Sequence, residues 1–104
     1  MKHVIQHPLD AATAKKAVSR AFDAYSAKYA AYEPRLTWKG DTNDAIVGMS
    51  AKGVKLDGAI HLREGVIEID LDVPFLLRVF QRKAIEVIDR EVRMWIEKAQ
   101  AGAL

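Results

Sequence analysis

Apolar and polar residues alternate strictly along residues 54–63 and 66–73, two stretches that meet at Glu64-Gly65. Alternation with a period of two is typical of half-buried strands, and a tight turn ending in glycine between them predicts a hairpin. One face of this hairpin would be apolar, with the pairs Leu62 with Ile67, Ile60 with Ile69, Gly58 with Leu71, and Leu56 with Val73. The other face would meet water or a ligand and would carry Lys55, Asp57, His61, Arg63, Glu68, Asp70 and Asp72.

Two earlier turns extend the same pattern. Residues 35–39 alternate, residues 40–44 are rich in turn formers, and Lys52-Gly53 supplies a second tight turn. With a loop at residues 41–44, the predicted pairs are Trp38 with Val47, Leu36 with Met49, Met49 with Leu56, and Val47 with Gly58. A slip of one residue at any turn would put the apolar side chains on the wrong face. The agreement of the three turns therefore favours one continuous antiparallel sheet.

Two longer segments have the period of an amphipathic helix. The first follows a short strand at Val4-Ile5 and a corner at His7-Pro8, and it is expected from Ala11 to Tyr32 with Asp10 as its N-cap. Its apolar stripe is Val18, Phe22, Tyr25, Tyr29 and Tyr32. The stripe of the second helix is Phe80, Ala84, Ile85, Ile88, Val92, Trp95, Ile96 and Ala99. The pattern leaves the conformation of residues 74–80 open.

These elements predict an α+β fold, a two-layer sandwich in the order β-α-β-β-β-β-α. Both long helices would cover the apolar face of the antiparallel sheet, because helices and sheets each bury one apolar side. A chain of 104 residues without a polar linker fits a single domain, residues 1–104.

Composition and charge narrow the classes of partner. Sixteen basic and fourteen acidic residues are interspersed and leave a formal charge of +2, so nucleic acid is not an expected partner. The absence of cysteine excludes disulfides and thiolate chemistry and suits a reducing compartment. No apolar run reaches the roughly 18 residues that a membrane span needs. The expected location is therefore cytoplasmic, with no transmembrane segment.

The row Glu68, Asp70 and Asp72 is the strongest candidate for carboxylate chemistry. Alternate residues of a strand share a face and lie roughly 7 Å apart, which is too wide for three carboxylates to close on one cation. The row is better explained as a solvated face, with general acid–base work as the minority alternative. Ser50 lacks the following glycine of a nucleophile elbow, since Lys52 stands there. We expect no metal, no cofactor and no catalytic residue.

The histidines have structural explanations. His3 and His7 share a strand face about 13 Å apart, which is too far for joint chelation of a metal. His7 is expected to anchor the strand-to-helix corner by hydrogen bonding. His61 is expected to form a cross-strand ion pair with Glu68, with a general base as the alternative.

Two sets of apolar residues could bind a ligand or partner. Core packing is the simpler explanation of the aromatic residues, but they could instead line a cleft between the helices and the sheet that admits an acyl chain. The cleft candidates are Tyr25, Tyr29, Trp38 and Trp95. The second set, here called the surface segment, is residues 75–80 with the basic residues that follow. Core packing is again the favoured explanation, and the alternative is an apolar knuckle bordered by cations that suits a lipid-coated surface or a partner subunit. Its candidate binding residues are Phe75, Leu76, Leu77, Arg78, Phe80 and Arg82.

Nearly the whole chain resembles the polyhydroxyalkanoic acid system family. The resemblance is carried by Ile5-Gln6-His7-Pro8, Trp38-Lys39-Gly40-Asp41, Gly53-Val54, Gly58, residues 66–80, Ile85 and Ile88. Members often have a second histidine after the proline, where this chain has Leu9. These motifs specify a fold, so the resemblance carries over no catalytic residue.

The resemblance implies a small bacterial protein associated with polyhydroxyalkanoate storage granules. It would be non-catalytic and would bind the granule surface or granule-associated proteins through the surface segment. The alternative is a small acyl-ligand-binding protein or enzyme of helix-grip type that uses the helix–sheet cleft. A homo-oligomer formed through the open sheet face or an edge strand is a further expectation.

Overall fold

The computed structural model describes residues 1–51 and 53–104, without the side chains of Ala51, Phe75, Leu76 and Phe80. The described strands form one antiparallel sheet of five strands in the order β1-β5-β4-β3-β2. The elements are β1 (Lys2–Gln6), α1 (Ala11–Lys28), β2 (Arg35–Trp38), β3 (Asp44–Ala51), β4 (Val54–Arg63), β5 (Val66–Asp72) and α2 (Gln81–Gln100). Short 3₁₀ helices at Ala30–Tyr32 and Phe75–Phe80 precede β2 and α2. The predicted α+β class and element order are confirmed.

The hairpin between β4 and β5 has the predicted register, with Ile60 opposite Ile69 and Gly58 opposite Leu71. Gly65 supplies the turn with a φ of 73°, a left-handed conformation that glycine adopts without strain. The register between β3 and β4 also agrees, since Met49 pairs with Leu56. Lys52, which belongs to the predicted turn between these two strands, lies outside the described residues.

The predicted register of the hairpin between β2 and β3 is wrong by two residues. Trp38 pairs with Ala45, and Leu36 pairs with Val47. The loop lies one residue earlier than predicted, at residues 40–43, because the Lys39 N–H donates to the Asp44 carbonyl oxygen at 2.9 Å. A shift by an even number of residues keeps every side chain on its face, so the apolar surface survives the error.

Helix α1 begins as predicted, because Asp10 Oδ1 accepts a hydrogen bond from the Thr13 N–H at 2.8 Å. The predicted end at Tyr32 is wrong, since α1 ends at Lys28 and a 3₁₀ turn follows. Pro34 restricts only Glu33, because its ring disfavours the α conformation of the residue before it. Glu33 adopts a left-handed conformation with φ of 48°, which redirects the chain into β2.

Both helices lie on the same face of the sheet and share one core with it. The core is closed at the end where β1 meets β5, since Ile5 and Ile67 are fully buried. Helix α1 approaches this region through small side chains, because Ala14, Ala17 and Ala21 are all buried. None of the described helices is both long enough and apolar enough to span a membrane.

Candidate functional site

A cavity of about 520 Å³ lies between the two helices and the apolar face of the sheet. Burial along β4 and β5 falls toward the open end of this cavity: Ile60 and Ile69 are buried, whereas Leu56 and Leu71 are only half-buried. The sandwich is therefore closed at one end and open at the end near the turn between β3 and β4. The main apolar side chains of the lining are Val18, Phe22, Val47, Met49, Leu56, Ile69, Leu71, Leu77, Ala84, Val87 and Ile88.

Three tyrosines from the end of α1 and the 3₁₀ turn after it complete one side of the cavity. The ring centroids of Tyr25 and Tyr29 are 4.7 Å apart, and those of Tyr29 and Tyr32 are 6.3 Å apart. Burial raises the pKa of the Tyr25 phenol, with smaller contributions from Tyr29 and Tyr32, so this hydroxyl stays protonated at neutral pH. The tyrosines thus place neutral hydrogen-bond donors beside an apolar space.

The remaining polar lining residues include charges of both signs. The charged ones are Asp57, Asp72, Lys83 and Glu91, and Gln81 is polar without a charge. Among the described residues, no group of three histidine or carboxylate side chains is arranged to hold a metal ion. The described lining can accommodate an apolar ligand with a polar end.

The structure divides the four predicted cleft residues into two pairs. Tyr25 and Tyr29 belong to the cavity lining, whereas Trp38 and Trp95 lie outside it. The Trp38 Nε1–H donates to Ser19 Oγ at 3.2 Å. The Trp95 Nε1–H donates to Glu91 Oε1 at 3.2 Å. The binding role of these residues stays a prediction, but only the two tyrosines are placed to serve it.

Sequence analysis missed the aliphatic side of the cavity, above all Leu56, Ala84 and Val87. Leu56 and Ala84 belong to apolar faces that were predicted as core. Periodicity identifies the face that a residue occupies and carries no information about how closely the facing side chains fill the space.

His61 is part of an ion-pair cluster on the outer face of the sheet, and its predicted partner is wrong. Its Nδ1–H donates to Asp44 Oδ1 at 2.6 Å, whereas Glu68 had been expected as partner. Both Asp44 and Glu68 are cross-strand neighbours of His61, so the register alone did not distinguish them. The hydrogen bond from His61 and the nearby Arg63 guanidinium lower the pKa of Asp44.

His3 connects the edge strand β1 to helix α2. Its Nε2–H donates to Asp89 Oδ2 at 2.6 Å, and the Arg93 Nε–H donates to Oδ1 of the same carboxylate at 2.6 Å. Partial burial opposes ionisation of Asp89, but these two hydrogen bonds outweigh it and lower the pKa of the carboxyl group. This cluster fastens α2 over the sheet.

The predicted role of His7 at the strand-to-helix corner is confirmed. Its Nδ1 accepts a hydrogen bond from the Leu9 N–H at 3.1 Å. Its backbone N–H donates to the Gly65 carbonyl oxygen at 3.0 Å, which ties the corner to the β4–β5 turn. The His7 Nε2 is buried and has no hydrogen-bond partner among the residues that the structure describes.

A family model for polyhydroxyalkanoic acid system proteins matches residues 3–96 of the chain, from β1 to the last turns of α2. The chain belongs to this family. Comparison with curated proteins and with solved structures gives no match. Membership confirms the resemblance inferred from the sequence motifs, without assigning a ligand or an activity.

The surface segment of this polyhydroxyalkanoic acid system protein forms the 3₁₀ helix Phe75–Phe80. Leu77 belongs to the cavity lining, while Val79 is 82% exposed. Arg78 and Arg82 are also exposed. The remaining predicted contacts of the segment, Phe75, Leu76 and Phe80, have side chains outside the described part of the structure.

Proposed function

We propose that this protein binds an apolar chain ligand of acyl type in the cavity between the helices and the sheet. The observation that carries the proposal is the size and lining of the cavity. Its volume of about 520 Å³ falls within the range of about 300 to 1,000 Å³ that is usual for small-molecule sites. A space lined mainly by apolar side chains offers water few partners and favours an apolar occupant.

The family supports the acyl character of the ligand. Polyhydroxyalkanoic acids are polyesters whose repeating units are hydroxyacyl groups, so a protein of that system meets apolar chains that carry oxygen atoms. The cavity has the matching composition, with aliphatic side chains over most of its lining and tyrosine hydroxyls on one side. Binding of such a chain requires no catalytic residue.

A series of fatty acids of increasing length, titrated by calorimetry, tests the proposal. Each methylene group buried in the cavity contributes about 0.8 kcal/mol, which corresponds to roughly a fourfold fall in Kd. The affinity should therefore rise with chain length and then level off once the cavity is filled. Wild-type protein that binds no member of the series would contradict the proposal.

Filling the cavity supplies the matched variants. Ala84→Phe places an aromatic ring in the lining, and Val87→Phe is a second variant at the same side of the cavity. Ala99→Phe is the control, because Ala99 is a half-buried residue of α2 that lies outside the lining, roughly 22 Å further along the helix. The first two variants should weaken binding at least tenfold, and the control should bind as wild type does. Equal affinities in folded Ala84→Phe and Ala99→Phe would refute occupancy of the cavity.

A second candidate function is binding of the polyhydroxyalkanoate granule surface, or of its resident proteins, in the bacterial cytoplasm. The observation that favours it is Val79, an aliphatic side chain that is 82% exposed beside the exposed Arg78 and Arg82. Exposed apolar groups bordered by cations suit an interface between polymer and water.

Co-sedimentation with isolated granules tests this second function. Val79→Asp should release the protein from the granules. Ile46→Asp is the control, because Ile46 is an exposed aliphatic residue on the outer face of the sheet, away from the helices. Sedimentation of Val79→Asp at the wild-type level would eliminate the surface segment as the binding site.

A further inference from the structure

The three tyrosines of the cavity carry hydroxyl groups, with which an unsubstituted hydrocarbon chain forms no hydrogen bond. Within the described part of the chain, the hydroxyls of Tyr25, Tyr29 and Tyr32 have no hydrogen-bond partner in the protein. They are not sealed from solvent, so water satisfies them while the cavity is free of ligand. A ligand that fills this side of the cavity displaces some of that water.

Displacement of water from a phenol hydroxyl has a cost unless the ligand restores the hydrogen bond. A purely aliphatic chain restores none, whereas an oxygen atom on the chain accepts one. The centroid separations of 4.7 and 6.3 Å place the rings in a continuous row along one side of the cavity.

We infer that the tyrosine row, Tyr25, Tyr29 and Tyr32, is a specificity site that selects oxygen-bearing acyl chains, hydroxyacyl groups or their esters, over unsubstituted acyl chains. The inference rests on the proposed function, since it names the ligand class of the same cavity. The apolar side chains opposite the row hold the hydrocarbon part of the ligand. The hydroxyls donate hydrogen bonds to its oxygens, and the raised pKa of Tyr25 keeps that donor protonated across the neutral range.

Two ligands of equal chain length, decanoic acid and β-hydroxydecanoic acid, isolate the contribution of a single oxygen. A net hydrogen-bond contribution of about 0.5 to 1.5 kcal/mol corresponds to a preference of roughly 2- to 12-fold for the hydroxylated acid. The wild-type protein should show this preference. A linear oligomer of β-hydroxybutyrate of similar backbone length distinguishes two sources of the ligand. Tighter binding of the oligomer than of β-hydroxydecanoic acid identifies polyester, and weaker binding identifies single hydroxyacyl groups.

The double variant Tyr25→Phe, Tyr29→Phe removes two hydroxyls and keeps both rings. It should bind decanoic acid at least as well as wild type and should lose the preference for the hydroxylated acid. Ser26→Ala is the matched control, because it removes a hydroxyl from a half-buried residue of the same helix that lies outside the lining. This control should keep the wild-type preference.

The outcomes separate this inference from the proposed function. If the wild-type protein binds both acids with equal affinity, or if the double variant keeps the preference, the tyrosine row does not select the ligand and the inference is refuted while acyl binding stands. If the wild-type protein binds no acyl ligand of any kind, the proposed function fails and the inference fails with it.

Discussion

The substitution Gly58→Ala tests whether the floor of the sandwich, meaning the apolar face of the sheet beneath the helices, is packed as described. Gly58 lies on the apolar face of the sheet, opposite Val47 on one neighbouring strand and Leu71 on the other. A Cβ atom at this position would lie 2.6 Å from the Asp70 carbonyl oxygen, 2.9 Å from Leu71 Cδ2 and 3.2 Å from Val47 Cγ2. A side-chain rotation can relieve the last two contacts, whereas relief of the first requires the backbone of β5 to move.

Overpacking of this kind costs about 1 to 3 kcal/mol, and contact with a backbone atom points to the upper half of that range. The matched control is Gly48→Ala on the adjacent strand. There the nearest atoms are Arg35 Nη2 at 3.1 Å, Arg35 Nε at 3.4 Å and Asp57 Oδ1 at 3.5 Å. All three belong to polar side chains, which can move aside. The control should therefore change the free energy of unfolding by less than about 0.5 kcal/mol.

Urea unfolding followed by far-UV circular dichroism measures both variants. With m about 1 to 3 kcal/mol/M, the midpoint of Gly58→Ala should fall by roughly 1 M at an unchanged m, and that of Gly48→Ala should stay near wild type. Thermal unfolding should agree, at about 4 to 8 °C for each kcal/mol. Equal midpoints for the two variants would refute the close approach of β4 and β5 at Gly58, and with it the described floor of the sandwich beside the cavity.

Three further predictions concern the N-cap of α1, stability at low pH and stabilisation by a bound ligand. Asp10→Ala should lower the thermal midpoint of unfolding, because it removes the acceptor of the Thr13 N–H, whereas Asp10→Asn keeps an acceptor and should lower it less. Because the pKa of Asp89 is lowered in the native state, the unfolded chain binds more protons than the native protein in acid. The free energy of unfolding should therefore fall as the pH drops below about 4. Asp89→Asn should flatten this dependence in acid titrations. A bound acyl ligand at a hundred times its Kd should raise the free energy of unfolding by about 2.7 kcal/mol, and an unchanged thermal midpoint at that concentration would contradict binding to the native state.

The sheet could be predicted from the sequence because turn position and apolar face constrain each other. At Glu64-Gly65 both signals agree, and the register is correct to the residue. In the loop after Trp38 only the face is constrained, because several polar residues there can form the turn equally well. The error of two residues at that hairpin is the smallest one that keeps the apolar face intact. The end of α1 was predicted too late for a comparable reason. Its apolar stripe continues through Tyr29 and Tyr32, whereas the α-helix ends at Lys28.

The candidate site was less predictable, because a cavity depends on the volume left between elements. The apolar stripe on α2 contains Ile96, which is 6% exposed and lies outside the lining, and Ile88, which contributes to the cavity. Nothing in the period distinguishes a filled contact from an open one. Trp38 and Trp95 show the converse, since each occupies an inward position and satisfies its indole N–H within the protein, on Ser19 and Glu91. A buried tryptophan with a protein partner is a packing residue, whereas tyrosine hydroxyls without one are available to a ligand.

The connection between β5 and α2 contributes residues both to the cavity and to the surface segment. Pro74 follows the end of β5, and the six residues after it form a 3₁₀ helix, in which hydrogen-bond geometry is poorer than in an α-helix. Within these six residues Leu77 turns toward the cavity and Val79 toward solvent. Burying one such side chain fully would contribute about 1.5 to 3 kcal/mol, so the fold forgoes stabilisation on both sides of this short helix. The two candidate functions therefore depend on neighbouring surfaces, and the variants separate them: Ala84→Phe should change ligand affinity without releasing the protein from granules, and Val79→Asp should do the reverse.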